Sequence, residues 1–327
     1  MTSFVLLFLC AAFAQDTPTK NPDKLDPSVG NPRAVMVNEA DIYLSPDVKS
    51  QKLGRVIRGR EVAIFEQSRE FIKVLGSVAQ TRDVTGSMLD KGVVRPTTPN
   101  GDVIIFGEAV DSENEASRRR GRKGADEDSR RLYYRVAEYF PKSPLAGEAL
   151  WRSADIDWQL QKAGISGRKS YREQEPSLRP RMDEDLMHEV GKKFPGTKWA
   201  DEAAFDLLDT KLCGDWRALA KCPEKETEIY EEYVKKHPQS PKAAEALYEA
   251  ASRQAALIEI YKSNNEPGKS PGAKSKALGL LQQIITQYAQ LPGDWTARAE
   301  RLKFYLEQGI PTYGAGSTSE NGPQDTK

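Results

Sequence analysis

Three stretches of the 327-residue sequence align with one another without gaps: FPKSPLAGEALW at 140–151, FPGTKWADEAAF at 194–205 and HPQSPKAAEALY at 237–248. Each stretch begins with an aromatic residue or histidine followed by proline. A serine or threonine stands two residues after the proline, and an Ala-x-Glu-Ala segment precedes a final aromatic residue. Because the anchor prolines, Pro141, Pro195 and Pro238, are unevenly spaced, the sequence predicts a structural repeat whose units are joined by loops of different length.

Each part of this motif has a physical reason in a pair of helices. Proline lacks an amide hydrogen and clashes with the preceding turn, so it predicts the end of one helix. The serine or threonine predicts a cap for the next helix. Two alanines three residues apart share one face of that helix, where small side chains let neighbouring helices approach closely. These alanines are Ala146, Ala149, Ala200, Ala203, Ala243 and Ala246.

The segment before each proline carries apolar residues at the i, i+3, i+4 spacing of an amphipathic helix, as at Leu132, Val136 and Ala137. A fourth, degraded copy runs from Leu280 to Tyr288 and continues past Pro292 into 295–306. The sequence therefore predicts stacked helical hairpins over 126–308. A curved stack of this kind has a concave face suited to a segment of another protein.

The copies resemble tetratricopeptide repeats and, more narrowly, the irregular repeats of outer-membrane-assembly lipoproteins of the BamD (YfiO) type. That resemblance implies an all-α tetratricopeptide-like helical-hairpin solenoid that binds other envelope proteins and catalyses nothing. Two features depart from it: no lipobox precedes Cys10, and a further domain comes first. The candidate partner contacts are Tyr134, Trp199 and Tyr233, with packing between helices as the alternative role for these aromatic residues.

Short β-type runs separated by Gly, Pro, Asn, Asp and Ser fill 34–95 and predict a small all-β barrel. The runs are 34–37, 42–44, 53–57, 61–65, 71–75 and 84–89. The stretch resembles a bacterial SH3-like domain: 40–46 corresponds to the first long loop, Arg58-Gly59 to the central turn and 71–74 to the usual Trp-x-x-Val. The closing Gly-Trp-Val of that family is here Gly86-Ser87-Met88. The resemblance implies a spacer or protein contact, with peptidoglycan binding as the alternative.

The amino-terminal segment Phe4–Phe13 is almost wholly apolar and ends in Ala12-Phe13-Ala14, although no Lys or Arg precedes it. This pattern predicts a signal peptide at 1–14 and an exported protein of the periplasm or the periplasmic face of the outer membrane. A buried first strand and lipidation of Cys10 are the alternatives. A Pro-rich linker is predicted at 15–33, and a disordered tail at 309–327.

Two further cysteines, Cys213 and Cys222, bracket the short segment CGDWRALAKC. In an oxidising compartment they predict a disulfide, which stabilises the fold by about 2.5–3 kcal/mol on the chain-entropy estimate. Two unpaired thiols are the alternative. A zinc site is disfavoured because no further Cys or His lies at ligand spacing.

The charge balance, 48 basic and 48 acidic residues, argues against a general polyanion binder, so no nucleic-acid partner is expected. The basic run 118–123 is flanked by acidic residues on both sides. It predicts a self-paired, solvated linker over 96–125, with anionic-lipid contact as the alternative and membrane association peripheral at most. Within this linker, 102–106 predicts one strand and 108–119 the start of a charged helix.

Residues typical of catalysis are scarce, since the chain has only two histidines. His237 takes the aromatic position of the motif, which predicts a packing role. His188 follows Glu184 and Asp185, which indicates either helix-surface charge pairing or a weak divalent-ion site. No phosphate loop or nucleophile elbow occurs, and 263–272 is interpreted as a connection. The sequence thus predicts no enzyme, cofactor or metal, but a protein-interaction scaffold; the alternative is a peptidoglycan-binding module that recruits a cell-wall enzyme.

Overall fold

A computed structural model of the chain describes residues 30–78 and 82–314, which divide into two units between Arg95 and Pro96. The first unit is built of β-strands and the second of helices. The predicted signal peptide at 1–14 and the end of the predicted tail at 315–327 lie outside the described residues, as does most of the predicted linker at 15–33.

The first unit is one antiparallel sheet with the strand order β3-β2-β6-β5-β4-β1-β7. Its strands are β1 (Arg33–Met36), β2 (Ala40–Tyr43), β3 (Lys52–Val56), β4 (Glu61–Ser68), β5 (Phe71–Val78), β6 (Arg82–Leu89) and β7 (Val93–Val94). Every run that the sequence predicted overlaps one of the first six strands. The seventh, of two residues, was not predicted, because so short a segment carries no alternating pattern.

Two glycines let strands of this unit approach closely across its apolar core. A Cβ atom added to Gly76 on β5 would lie 2.9 Å from the side chain of Val56 on β3, although these strands are not neighbours in the sheet. A Cβ added to Gly86 would lie 2.5 Å from the carbonyl oxygen of Tyr43. Met88, the last residue of the Gly86-Ser87-Met88 segment, is fully buried in the core.

The second unit consists, in its described residues, of nine α-helices with short 3₁₀ turns between some of them. The helices are α1 (Gly101–Ala116), α2 (Ala125–Tyr139), α3 (Ala146–Ser166), α4 (Asp185–Lys193), α5 (Lys198–Asp206), α6 (Lys221–Lys236), α7 (Ala243–Ser263), α8 (Ser270–Gln287) and α9 (Trp295–Gln308). Nearly all consecutive helices pack against each other along the unit, most extensively α7 with α8, α1 with α2, α6 with α7 and α2 with α3. No helix of the described part is long and apolar enough to cross a membrane.

The strand predicted at 102–106 is wrong, because these residues open α1, which packs against α2. A short apolar run such as Val-Ile-Ile-Phe does not distinguish a strand from a buried helix turn. The helical spacing is visible one step later, where Ile105, Ala109 and Ser112 are buried at i, i+4 and i+7. The helix therefore extends through much of the segment expected to be a linker. Beyond it, Arg118 pairs with Glu115 at 2.8 Å.

The three motif copies end their first helices in the same backbone conformation. Phe140, Phe194 and His237 have φ and ψ of −127° and 57°, −127° and 50°, and −126° and 58°, and each directly precedes the motif proline. At the fourth helix pair, Tyr288 has φ −119° and ψ 13°. The near-identity of the first three values shows that the shared letters encode a shared turn, which the degraded copy lacks.

The motif hydroxyls accept backbone hydrogen bonds at the start of the second helix. Thr197 Oγ1 accepts from the amide of Ala200 at 3.4 Å, as an N-cap. In the other two copies the serine accepts from the amide two residues later: Ser143 from Leu145 at 3.1 Å, and Ser240 from Lys242 at 3.0 Å. The predicted cap is therefore found only at Thr197, because Ser143 and Ser240 bond the residues just before α3 and α7, whose N-cap residues make no side-chain cap hydrogen bond.

Five of the six motif alanines are buried, and Ala200 is half-buried. The buried ones are Ala146, Ala149, Ala203, Ala243 and Ala246.

A larger side chain at one of these alanines is expected to overpack the helix contact. Ala146 is fully buried in one apolar cluster with Ala137 and Leu150, so Ala146→Leu should lower the free energy of unfolding by about 2 kcal/mol in urea titration. Ala163 lies exposed on the same helix, and Ala163→Leu should leave that free energy almost unchanged. Equal effects of the two changes would contradict a packing role for the motif alanine.

Candidate functional site

Four partly exposed aromatic residues border one buried cluster of helices α2 to α5: Tyr134, Trp151, Phe194 and Trp199. We call them the aromatic patch. The rings of Trp151 and Trp199 stack with centroids 5.2 Å apart and planes inclined by 26°. Lys198 Nζ lies 4.1 Å from the centroid of the Trp199 ring. Trp and Tyr side chains that are half buried in this way are frequent anchors of protein–protein contacts.

The aromatic patch depends on the absence of a side chain at Gly147. A Cβ atom at Gly147 on α3 would lie 2.9 Å from Cδ1 of Trp199, so a larger residue there would push the indole away. The indole nitrogen of Trp151, whose ring stacks on Trp199, is buried and has no hydrogen-bond acceptor among the described residues.

Of the three predicted partner contacts, the structure brings Tyr134 and Trp199 to the same cluster, whereas Tyr233 belongs to another. Tyr233 is only 3% exposed, and its hydroxyl donates to the carbonyl oxygen of Asp201 at 2.8 Å. Its ring stacks on His237 with centroids 4.9 Å apart. Tyr233 therefore takes the alternative role, packing between helices, because long-range contacts use both its ring and its hydroxyl.

Three carboxylates continue the surface from the aromatic patch, and we call them the acidic row: Asp155, Glu202 and Asp206. Asp155 lies one turn after Trp151 on α3, while Glu202 and Asp206 follow Trp199 by one and two turns on α5. Residues at these spacings share one helix face. Since α3 and α5 pack together, the patch and the row form one continuous face.

The acidic row is electrostatically crowded. Burial, together with the nearby carboxylate of Asp155, raises the pKa of Asp206 to about 7. Burial likewise raises the pKa of Glu202. In the opposite direction, Lys242 lowers the pKa of Asp206 and of Glu202, and Lys198 lowers that of Glu202, although Lys242 makes its ion pair with Glu245 at 2.9 Å. A cationic group brought to the row would lower the pKa of Asp206 and relieve this repulsion.

No protein-family model matches this chain, and no curated protein matches it significantly. The aromatic patch and the acidic row are accordingly interpreted from their own chemistry. Half-buried indoles offer apolar anchoring, and neighbouring carboxylates select for lysine or arginine. Among the described residues, no group of three or more His, Cys, Asp or Glu side chains is arranged to hold a metal ion.

The two histidines make local contacts with carboxylates. His188 is exposed, and its Nε2 lies 3.2 Å from Oε2 of Glu184 one turn before it. His237, besides stacking on Tyr233, has its Nδ1 2.8 Å from Oδ1 of Asp201. The pattern of the motif indicated the packing role of His237. It did not indicate this hydrogen bond, because Asp201 lies 36 residues away in the sequence.

Asp206→Asn is expected to stabilise the fold at alkaline pH. The pKa of this carboxyl is near 3.8 ordinarily and about 7 when folded, so the folded chain keeps a proton that the unfolded chain releases between these values. The stability that the proton supplies is complete below pH 3.8 and is lost as the pH rises through 7. Asparagine mimics the protonated form, so the variant should exceed the wild type by roughly 1–3 kcal/mol at pH 8 and equal it near pH 4.

Thermal unfolding at pH 4 and pH 8 measures this difference. Glu232→Gln is the control, because Glu232 is exposed and the hydrogen bond from Lys236 lowers its pKa. The control should show no gain at pH 8. A gain for Asp206→Asn that is the same at both pH values would contradict the assignment.

The disulfide between Cys213 and Cys222 is confirmed, with their Cα atoms 6.0 Å apart. The sequence did not indicate which residues bind the loop that this disulfide closes. Glu226 on α6 accepts hydrogen bonds from the amide of Cys213 and from the indole nitrogen of Trp216, both at 3.0 Å. Its other oxygen accepts from Nε of Arg253 on α7 at 2.9 Å. One buried carboxylate thus joins the disulfide loop to two helices.

Proposed function

We propose that this protein is an exported, non-catalytic scaffold of the cell envelope, in which the helical unit binds a segment of a partner protein. The observation that carries the proposal is the continuous face of the aromatic patch and the acidic row on α3 and α5. An apolar anchor beside crowded carboxylates fits a partner segment that carries an aromatic or aliphatic residue close to a lysine or arginine.

The helical unit is, in this proposal, a tetratricopeptide-like solenoid of the kind found in outer-membrane-assembly lipoproteins. Support comes from the three matching helix ends at Phe140, Phe194 and His237 and from the motif alanines buried at helix contacts. A stack of such units presents an extended surface to another protein, and its contacts require no catalytic group.

The β unit is, in this proposal, an SH3-like barrel. The close approach of β3 to β5 at Gly76, between strands that do not pair, supports a sheet that curves back over its own core. Glycine at such positions is typical of small, strongly curved sheets. Its proposed role is that of a spacer or a second protein contact.

Export to an oxidising compartment of the envelope is supported by the disulfide, because structural disulfides form and persist mainly outside the reducing cytosol. The periplasm or the periplasmic face of the outer membrane is the proposed location. Involvement in outer-membrane protein assembly rests on the resemblance of the repeats.

Site-specific photo-crosslinking in the producing cells tests the scaffold function. A photoreactive residue at Lys198, beside Trp199, should give a defined adduct with one protein. The adduct should disappear when Trp199→Ala and Asp206→Lys are combined, because the anchor and the charge are then both lost. The same photoreactive residue at Lys303 on α9 is the control and should give no such adduct. An adduct that forms equally at both positions, or at neither, would contradict the proposal.

A second candidate function, peptidoglycan binding by the β unit, is favoured by one feature. A pocket of about 260 Å³ opens beside Tyr43, between Asp41, Arg55 and Lys91. An aromatic ring next to charged groups suits a cell-wall peptide. In sedimentation with purified sacculi, this function predicts that the full chain pellets and that Tyr43→Ala stays in the supernatant. Leu44→Ala, at a 62% exposed neighbour, is the matched control and should pellet like the wild type.

A further inference from the structure

The connection between α3 and α4 is held against the disulfide loop. The amides of Gly214 and Asp215 donate to the carbonyl oxygens of Glu173 and Arg172, both at 3.1 Å. The side-chain amide of Gln174 donates to the carbonyl oxygen of Trp216 at 3.4 Å. These bonds fix a loop that would otherwise be solvated, and they leave a pocket of about 340 Å³ between the loop, the end of α3 and residues 209–210.

The guanidinium of Arg179 is fixed in the wall of this pocket. Its Cζ lies 4.9 Å from the centroid of the Tyr171 ring, and its Nη1 donates to the carbonyl oxygens of Leu212 at 2.8 Å and Asp209 at 3.4 Å. Its Nε is buried and has no hydrogen-bond partner among the described residues. Arginine is the side chain best suited to bind a planar anion, and a buried guanidinium N–H without a partner is uncommon.

The other walls select the kind of anion. Lys162, paired with Asp209 at 2.7 Å, and Arg181 add positive charge, while Asp209 and Glu184 oppose a second negative charge on the ligand. Apolar side chains complete the lining: Ile165, Pro176, Pro180 and Met182. A ligand with a single negative charge and a small apolar group can contact both the cationic and the apolar side chains. A doubly charged phosphate can contact only the cationic ones.

We propose that this pocket binds the terminal carboxylate of a short peptide, with Arg179 as the group that receives it. The carboxylate accepts from the guanidinium group of Arg179 and from the ammonium group of Lys162, and the last side chain of the peptide lies against the apolar wall. The volume is at the lower end of the range for ligand pockets, which suits one or two residues. The inference does not depend on the proposed scaffold function, because the pocket and the aromatic patch share no residue.

Calorimetric titration of the full chain with N-acetyl-Ala-Ala tests the inference. The free acid should bind, and the same dipeptide with an amidated carboxyl end should bind at least about tenfold more weakly, because a hydrogen bond to a charged group is lost. In ¹⁵N-labelled protein, the Nε–Hε resonance of Arg179 should shift on titration with the acid and not with the amide. Inorganic phosphate is the third probe and should bind more weakly than the acid.

Substitutions of pocket residues test whether the dipeptide acid binds at this site. Arg179→Met should weaken binding of the acid about tenfold or more, while Arg168→Met, at an exposed arginine of the same connection, should leave it unchanged. Ile165→Trp narrows the pocket without removing the bonds of Arg179 to the two carbonyls, so it keeps the test valid if Arg179→Met does not fold. Equal binding of acid and amide, tighter binding of phosphate, or unchanged binding in both Arg179→Met and Ile165→Trp would overturn the proposal.

Discussion

Glu226→Ala is expected to lower the free energy of unfolding by about 3–5 kcal/mol, the largest effect of any single change considered. The side chain of Glu226 is 2% exposed and that of Arg253 is 16% exposed. Removing the carboxylate leaves the guanidinium in a poorly solvated position with one fewer counter-charge. It also removes the acceptor for the amide of Cys213 and the indole of Trp216.

Urea unfolding followed by circular dichroism measures this change. Glu232→Ala is the matched control, because Glu232 lies on the same helix but its side chain is 63% exposed in its pair with Lys236. Exposed ion pairs contribute little, so the control should unfold like the wild type. Replacing both partners, as Glu226→Leu with Arg253→Met, should restore part of the lost stability, since no charge is then left buried. Equal effects of Glu226→Ala and Glu232→Ala would contradict the buried-pair interpretation.

The sequence predicted those parts of the fold that local chemistry determines. A proline ends a helix because of its own ring, so Pro141, Pro195 and Pro238 stand directly after three equivalent helix ends. The strands of the first unit were found for a similar reason, since their alternation and their Gly and Ser turns lie within a few residues. The segment 102–106 was misassigned because four apolar residues fit either a strand or a helix turn, and only packing against α2 decides between them.

The candidate site depends on contacts between residues far apart in the sequence, and prediction was weaker there. Trp199 was identified because it is an aromatic residue within a strong motif, but its stacking on Trp151 across two helices was not. Tyr233 had the same local signal and is buried, since Asp201, 32 residues away, accepts from its hydroxyl. The pair of Glu226 and Arg253 spans 27 residues and left no sequence signal. Burial and pairing of this kind follow from tertiary packing alone.

Replacing both cysteines, Cys213→Ser with Cys222→Ser, is expected to lower the free energy of unfolding by about 2.5 kcal/mol, the entropy of closing a loop of this size in the unfolded chain. Reducing agent should have the same effect on the wild type and none on the variant. The value of about 2.5 kcal/mol includes only the loss of entropy in the unfolded chain. In the folded state the loop also positions the amide of Cys213 and the indole of Trp216 for Glu226, so a second, native-state contribution is expected.

This native-state contribution is measured by combining the double cysteine replacement with Glu226→Ala. If the disulfide serves to hold the loop against Glu226, removing the bond and the carboxylate together should cost at least about 1 kcal/mol less than the sum of the separate losses. Independent contributions would instead add, and strict additivity in urea titrations of the four proteins would show that the bond acts on the unfolded chain alone. We expect the non-additive result, because both donors to Glu226 Oε1 lie inside the ten-residue segment that the disulfide closes.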